Sequence, residues 1–338
     1  VNRWLSFGLR LAFTLALLGV LAWQLDTRQL LTRLGDLSPG WVMLAVLIGI
    51  PQVVLSAWRW RMTAHQVGIA LHWPTAIREY YLATFLNQVL PGGIVGDAAR
   101  AWRHGNAQNR LDATSHSGPA IRAVIIERAS GQVALLLAAI VAVGLSPALR
   151  GGISEWWEAQ GTTGWWILLA LLLLCAVVIG RLRHRPWPAL TQFGRDIKRA
   201  LLAVSVWPAQ LASSLLIVAT YVAVFLFAAQ ALGLQRPIVE LLPLIPPLLM
   251  AMAIPLTIAG WGLREGAAVV IWPLAGMPAQ EGVALSVTYG LLILAASLPG
   301  LAVLLNDRRL TRRAASRRAL RGTRTTTPEK VASGGHPR

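Results

Sequence analysis

Charge is what this chain has least of. Only 13% of its 338 residues are Asp, Glu, Lys or Arg, where a soluble domain carries about a quarter. Hydrophobic residues make up 55%, and the mean hydropathy is +0.57. There is a single cysteine, Cys175, inside the apolar run LLLLCAVVIG, so an internal disulfide is excluded and the redox compartment is unreadable. The six histidines are scattered, with no two at metal-ligand spacing on one helix. The chain has no P-loop, nucleophile elbow or dinucleotide fingerprint. No cofactor and no metal are therefore expected.

What is abundant is apolar sequence in long runs. Segments at about 4–25, 41–58, 119–145, 164–180, 207–232 and 283–305 approach or exceed the roughly 18 residues that mark a spanning helix. The first begins with basic residues, but no small-x-small cleavage site follows before Asp26, so it reads as a retained span. Two further segments, about 74–102 and 238–277, are apolar but interrupted. The chain is an all-α polytopic membrane protein.

The formal net charge of +17 invites a nucleic-acid reading, but its location argues otherwise. Ten basic residues fall after Asn306, in a stretch that is otherwise Ser, Thr, Gly and Pro with little apolar content. Residues 306–338 are expected to be a basic, disordered cytoplasmic tail resting on anionic headgroups, behind a membrane domain at 1–305. No nucleic-acid partner is expected.

Loop charge sets the topology, because basic residues stay on the cytoplasmic side. Arg59 and Arg61 follow the second span, Arg100, Arg103 and Arg110 flank the first interrupted segment, and 181–199 holds six basic residues. These are expected to be cytoplasmic, as are both termini. The stretch GGISEWWEAQGTTG (151–164) has two Glu and no basic residue and is expected outside. Segment 74–102 must then enter from the inside and return, and 238–277 must enter from the outside and return. The expected architecture is about six full transmembrane helices plus two oppositely oriented re-entrant hairpins, an inverted repeat of about eight hydrophobic segments. A complete span at 238–259 is the alternative.

Each hairpin needs a break. The first offers PGG at 91–93 within NQVLPGGIVGDAAR (87–100), and the second several prolines and then AGWG at 259–262. Non-helical backbone at membrane depth is tolerated only inside protein or against a wet cavity. Gly92, Gly93 and Gly96 let backbones approach, and Asn87 could serve a headgroup or the freed backbone groups. Arg100 adds a fork suited to phosphate. Six charges sit at or beside the breaks or inside a span: Asp97, Arg100, Glu127, Arg128, Arg264 and Glu265. Each costs about 2.5–3.5 kcal/mol if unpaired at the bilayer centre. Together they would exceed the about 5–15 kcal/mol stability of a domain. Glu127 shares a helical face with Ala123, Gly131, Ala134 and Ala138, a small-residue stripe that should admit a neighbour carrying Arg100 or Arg264. Whether these charges bind a substrate or only brace the hairpins stays open. Most tryptophans lie near span ends, as an aromatic belt does. Phe193, Ile197, Leu201 and Leu202 with basic neighbours suit an interfacial helix.

The pattern N-x-x-[LV]-P-G-G-x-x-G-D-x-x-R, here NQVLPGGIVGDAAR, resembles the signature of the lysylphosphatidylglycerol synthetase membrane domain, also called the flippase-like domain family. ERASGQ at 127–132 and GWGLREGA at 260–267 are similar to its other two blocks, in the same order and spacing. The resemblance covers about residues 5–305. Well-understood members join this domain to a soluble aminoacyl-transferase, whereas here only the basic tail follows residue 305. The resemblance therefore implies lipid binding or translocation without lipid aminoacylation, and no enzyme activity. It carries over to Asn87, Pro91, Gly92, Gly93, Gly96, Asp97, Arg100, Glu127, Arg128, Gly262, Arg264 and Glu265. The expected function is flipping of an anionic or modified phospholipid, or a polyprenyl-phosphate-type lipid, in a bacterial-type inner membrane. The alternative is a non-transporting scaffold for a separately encoded lipid- or glycan-modifying enzyme. The expected partners are membrane lipids and, in the alternative, that enzyme.

Overall fold

A computed structural model of the chain describes residues 8–9, 11–17, 19, 32–90, 93–109, 117–183, 188–252 and 257–324. The described residues are all-helical, with no strand among them. The first segment, 4–25, and the end of the tail, 325–338, lie largely or wholly outside them. After helical residues at 11–17 and 32–35, the elements are α1 (Pro39–Leu47), α2 (Gly49–Gln66), α3 (Trp73–Val89), α4 (Val95–Asn109), α5 (Ser117–Leu145), α6 (Pro147–Ala159), α7 (Thr162–Arg183), α8 (Pro188–Ile197), α9 (Trp207–Ala231), α10 (Ile238–Leu241), α11 (Ile245–Ala251), α12 (Leu263–Leu274) and α13 (Ala279–Arg324). Among the described residues, four helical stretches are long and apolar enough to cross a membrane: Pro39–Gln66, Ser117–Leu145, Trp207–Ala231 and Ala279–Arg309.

α5 faces its surroundings the opposite way from a helix in a water-soluble protein. On α5, Ala123, Glu127 and Ala134 are buried, while Val133, Leu136, Ile140 and Val141 are exposed. Lipid is as apolar as leucine, so large side chains gain nothing by turning inward. Small residues inward let helices approach, and a charge must turn inward to find a partner.

Both interrupted segments are broken where expected. Pro91 disfavours helical backbone at the residue before it, and Leu90 is extended (φ −103°, ψ 148°) where α3 ends. Gly93 adopts φ +59°, and the chain restarts as α4 at Val95. Further along, Ala259, Gly260 and Gly262 all have positive φ before α12 begins. Ahead of that turn, α10, a short 3-10 turn and α11 occupy Ile238–Ala251.

The first break is held by backbone-to-backbone packing. A Cβ at Gly96 would lie 2.0 Å from the carbonyl oxygen of Ala83, so α4 rests directly on α3. A Cβ at Gly300 would lie 2.2 Å from the carbonyl oxygen of Tyr81, so α13 rests on the other side of the same region. Around these contacts lie two apolar clusters. One is centred on Phe225 and Tyr289, stacked 3.9 Å apart, with Leu244, Leu248 and Trp272; the other holds Trp60, Ala101 and Ala123.

Three local readings are corrected. Arg59 and Arg61 do not lie in a loop after the second span, because α2 continues through Gln66 and buries Arg59 at 4% exposure. The acidic stretch at 151–164 is largely helical, in α6. The tail is helical past its expected start at 306, since α13 runs to Arg324.

Candidate functional site

The first break closes on itself through Asn87. Its side-chain oxygen accepts a hydrogen bond from the Gly96 amide (2.7 Å), one of the orphan donors at the start of α4, and its amide donates to Asp97 (2.8 Å). Asn87 thus ties the last turn of α3 to the first turn of α4 across the gap left by Pro91.

Asp97 then leads into a chain of charges. Arg100 Nε donates to Asp97 Oδ1 (2.9 Å), and Arg100 Nη2 pairs with Glu127 Oε2 (2.5 Å). Arg59 pairs with the other oxygen of Glu127, through Nη2 at 2.5 Å and Nε at 3.1 Å. Tyr80 donates its hydroxyl to the same oxygen (3.2 Å), and Arg59 Nη1 donates to Ser214 (3.0 Å). Arg128 pairs with Asp97 and donates to the Gly93 carbonyl (3.3 Å). Glu127 is fully buried and Arg100 is 1% exposed, with its guanidinium over the rings of Trp60 (4.7 Å) and Tyr80 (4.5 Å). The Arg128 side chain is 37% exposed, the most open of the five.

Among the described residues, three guanidiniums here meet two carboxylates, a surplus of one positive charge. Beside them is a cavity of about 200 Å³. Its wall passes along α5 from Glu127 and Arg128 through Gly131 and Gln132 to Leu135. Asn87, Gln88 and Gly93 from the break line it, with Gln52 and Arg59 from α2 and Tyr221 from α9. Leu249, Met252, Tyr289 and Ile293 complete the wall on the apolar side.

Asn87, Gly93, Gly96, Asp97, Arg100, Glu127 and Arg128 therefore converge on one site. Pro91 and Gly92 lie outside the described residues. Gly262, Arg264 and Glu265 form a separate cluster. Arg264 pairs with Glu265 (2.8 Å) and donates to Ser286 (2.6 Å), and Ser286 donates to Glu265 (2.8 Å). The second oxygen of Glu265 caps the Gly262 amide (2.6 Å) at the start of α12. Arg264 is 1% exposed, over the rings of Trp261 (5.3 Å) and Tyr289 (5.1 Å). Tyr289 belongs to both places, with Arg264 over its ring while it lines the cavity. The expected neighbour of Glu127 is thus Arg100 and not Arg264. Arg59 joins it as a second partner that loop-charge reasoning had placed elsewhere. Gln52, Ser56, Arg59 and Thr63 recur at helical spacing as a polar stripe on an apolar helix, and that stripe was the available signal. Among the described residues, no three His, Cys, Asp or Glu side chains gather as metal ligands would.

A family profile described as the lysylphosphatidylglycerol synthase TM region matches residues 7–300. The chain belongs to that family. No curated protein matches it. As a member of the lysylphosphatidylglycerol synthase TM region family it is a multi-pass integral membrane protein of a family named for lipid modification. Its three sequence blocks fall on the first break, on α5 and on the second break.

Proposed function

We propose that this chain binds an anionic lipid headgroup in the cavity beside the first break and moves it between leaflets. The observation that carries the reading is the surplus positive charge on a cavity bounded by a broken helix. The four buried groups balance, Arg59 and Arg100 against Asp97 and Glu127, and the surplus sits on Arg128, whose side chain is 37% exposed and lines the cavity. One phosphodiester would neutralise it. Arg128, half open and held by Asp97 and Gly93, is the cation positioned to exchange its partner for a phosphate. Arg100 and Arg59, locked on Glu127, hold the field in place.

The re-entrant reading of the breaks belongs to the same proposal. Helices α3 and α4, of 17 and 15 residues, reach about 25 and 22 Å, short of the ~30 Å hydrocarbon core. Each suits half of a hairpin better than a crossing. The second break, with its own buried Arg–Glu pair, would be the counterpart entering from the opposite face, in an inverted repeat with both termini cytoplasmic.

The test is a leaflet-accessibility assay in proteoliposomes with labelled anionic lipids, comparing wild type with Arg128→Ala. Lipid movement by the wild type and its loss in a folded Arg128→Ala protein is the expected result. Movement that survives the substitution removes Arg128 from the site. No movement of any lipid favours the scaffold for a separately encoded enzyme.

A further inference from the structure

Among the described residues, two acceptors on the cavity wall lack a donor. Gln52 is 6% exposed, and its side-chain oxygen holds no hydrogen bond. Gln132, one turn beyond Arg128 on α5, likewise has a buried side-chain oxygen without a partner. Both residues line the cavity. A buried carbonyl left without a donor is costly, so a site that presents two of them suits a ligand that supplies donors. Next to them is the site's net single positive charge, carried most openly by Arg128. A ligand that neutralises the cavity therefore brings one negative charge, and its donors must not bring positive charge with them. Hydroxyl groups meet both conditions. Ammonium groups supply donors but add positive charge beside Arg128, where like charges repel.

We propose that the cavity selects lipids whose headgroup is a single phosphodiester bearing neutral hydroxyls, of the phosphoglycerol or phosphosugar kind, and discriminates against aminoacylated headgroups. This rests on the lipid-translocation reading above and narrows it. Phosphatidylglycerol carries one negative charge and two free hydroxyls. Its lysyl ester keeps the one phosphate charge but adds two ammonium groups on the lysine, a net positive charge that would leave the occupied cavity more positive than the empty one. Phosphatidylcholine has a compensated phosphate and no donor. A polyprenyl phosphate has charge but no hydroxyl beyond the phosphate itself.

The experiment is the same vesicle assay with four labelled lipids: phosphatidylglycerol, lysyl-phosphatidylglycerol, phosphatidylcholine and a polyprenyl phosphate. It compares the full-length wild type with Gln132→Leu and Gln132→Glu, each checked for a wild-type melting temperature. Phosphatidylglycerol is expected to move at least about tenfold faster than each of the other three, because a site built to hydrogen-bond its ligand rejects analogues lacking the group. Gln132→Leu removes an acceptor and should narrow the margin over polyprenyl phosphate. Gln132→Glu is close in shape but adds the missing negative charge, and should shift the ratio toward the lysyl lipid by about tenfold. Lysyl-phosphatidylglycerol moved as fast as phosphatidylglycerol by the wild type would overturn the assignment, as would a ratio unchanged in a folded Gln132→Glu protein. If no lipid moves in any arm, the translocation reading itself falls and this one falls with it.

Discussion

Two side chains adjacent in the chain can have opposite importance for stability, and Glu127 and Arg128 show it. Glu127 is fully buried and binds two guanidiniums and a tyrosine hydroxyl. Glu127→Gln leaves Arg59 and Arg100 in the interior without their shared counter-charge, and is expected to cost about 3–5 kcal/mol. Thermal unfolding in detergent, followed by the loss of monodisperse protein, measures it. Arg128 keeps more than a third of its side chain open, so Arg128→Ala is expected to change stability by less than about 1 kcal/mol while removing lipid movement. A severe loss of stability in Arg128→Ala and a mild one in Glu127→Gln would reverse the roles assigned to them. The cluster of Arg264, Glu265 and Ser286 is closed and charge-balanced. Glu265→Gln should therefore resemble Glu127→Gln in stability more than Arg128→Ala in function.

At the scale of an element, the first break has one residue that cannot be exchanged and one that can be tested. Gly96 faces the Ala83 carbonyl where a Cβ would come within 2.0 Å, against backbone that cannot move aside. Gly96→Ala must push α4 off α3, and should destabilise by about 1–3 kcal/mol or more. Gly93 has open space around it but φ +59°. Gly93→Ala should cost only about 1–2 kcal/mol, the penalty of a left-handed conformation. Comparing the two melting temperatures separates steric exclusion from backbone strain within one loop. Asn87→Ala removes the cap on Gly96 and should cost about 1 kcal/mol, with faster amide exchange at the start of α4. The breaks themselves were legible, because proline and glycine act on their own backbone and their neighbours'. Which helix faces the break was less so. The small-residue stripe around Glu127 pointed to a close neighbour, but the stripe is equally good for any backbone that fits.

At the scale of the whole molecule, a half-buried ring of charge ties the first break to the last helix. Arg103 on α4 pairs with Glu79 on α3 (2.7 Å) and with Asp307 on α13 (2.7 Å), and Arg78 also pairs with Asp307. Together with the contact of Gly300 on α3, this fixes the broken segment against the one helix that leads into the basic tail. Asp307→Asn should leave the cavity residues in place but loosen that attachment. Hydrogen exchange in Val95–Asn109 is expected to accelerate, with less change in α9. Uniform acceleration across the molecule would mean that the ring supports global stability instead.

The amino-acid sequence by itself determined the solvent this chain folds for, four of the expected spans, the two breaks and the list of charges too costly to leave alone. Those are properties of composition and of neighbours along the chain, and a residue carries them wherever the rest of the protein goes. Only the tertiary structure decided who pairs with whom. Arg59 lies 68 residues from Glu127 in sequence and Ser214 another 87 beyond, so no local pattern links them. It was helix packing that drew Arg59 from an apparent loop into the core, separated Arg264 from Glu127, and left one positive charge and two amide oxygens on the wall of a cavity. A charge inside a membrane must find a partner, and sequence states that need without saying which partner is within reach.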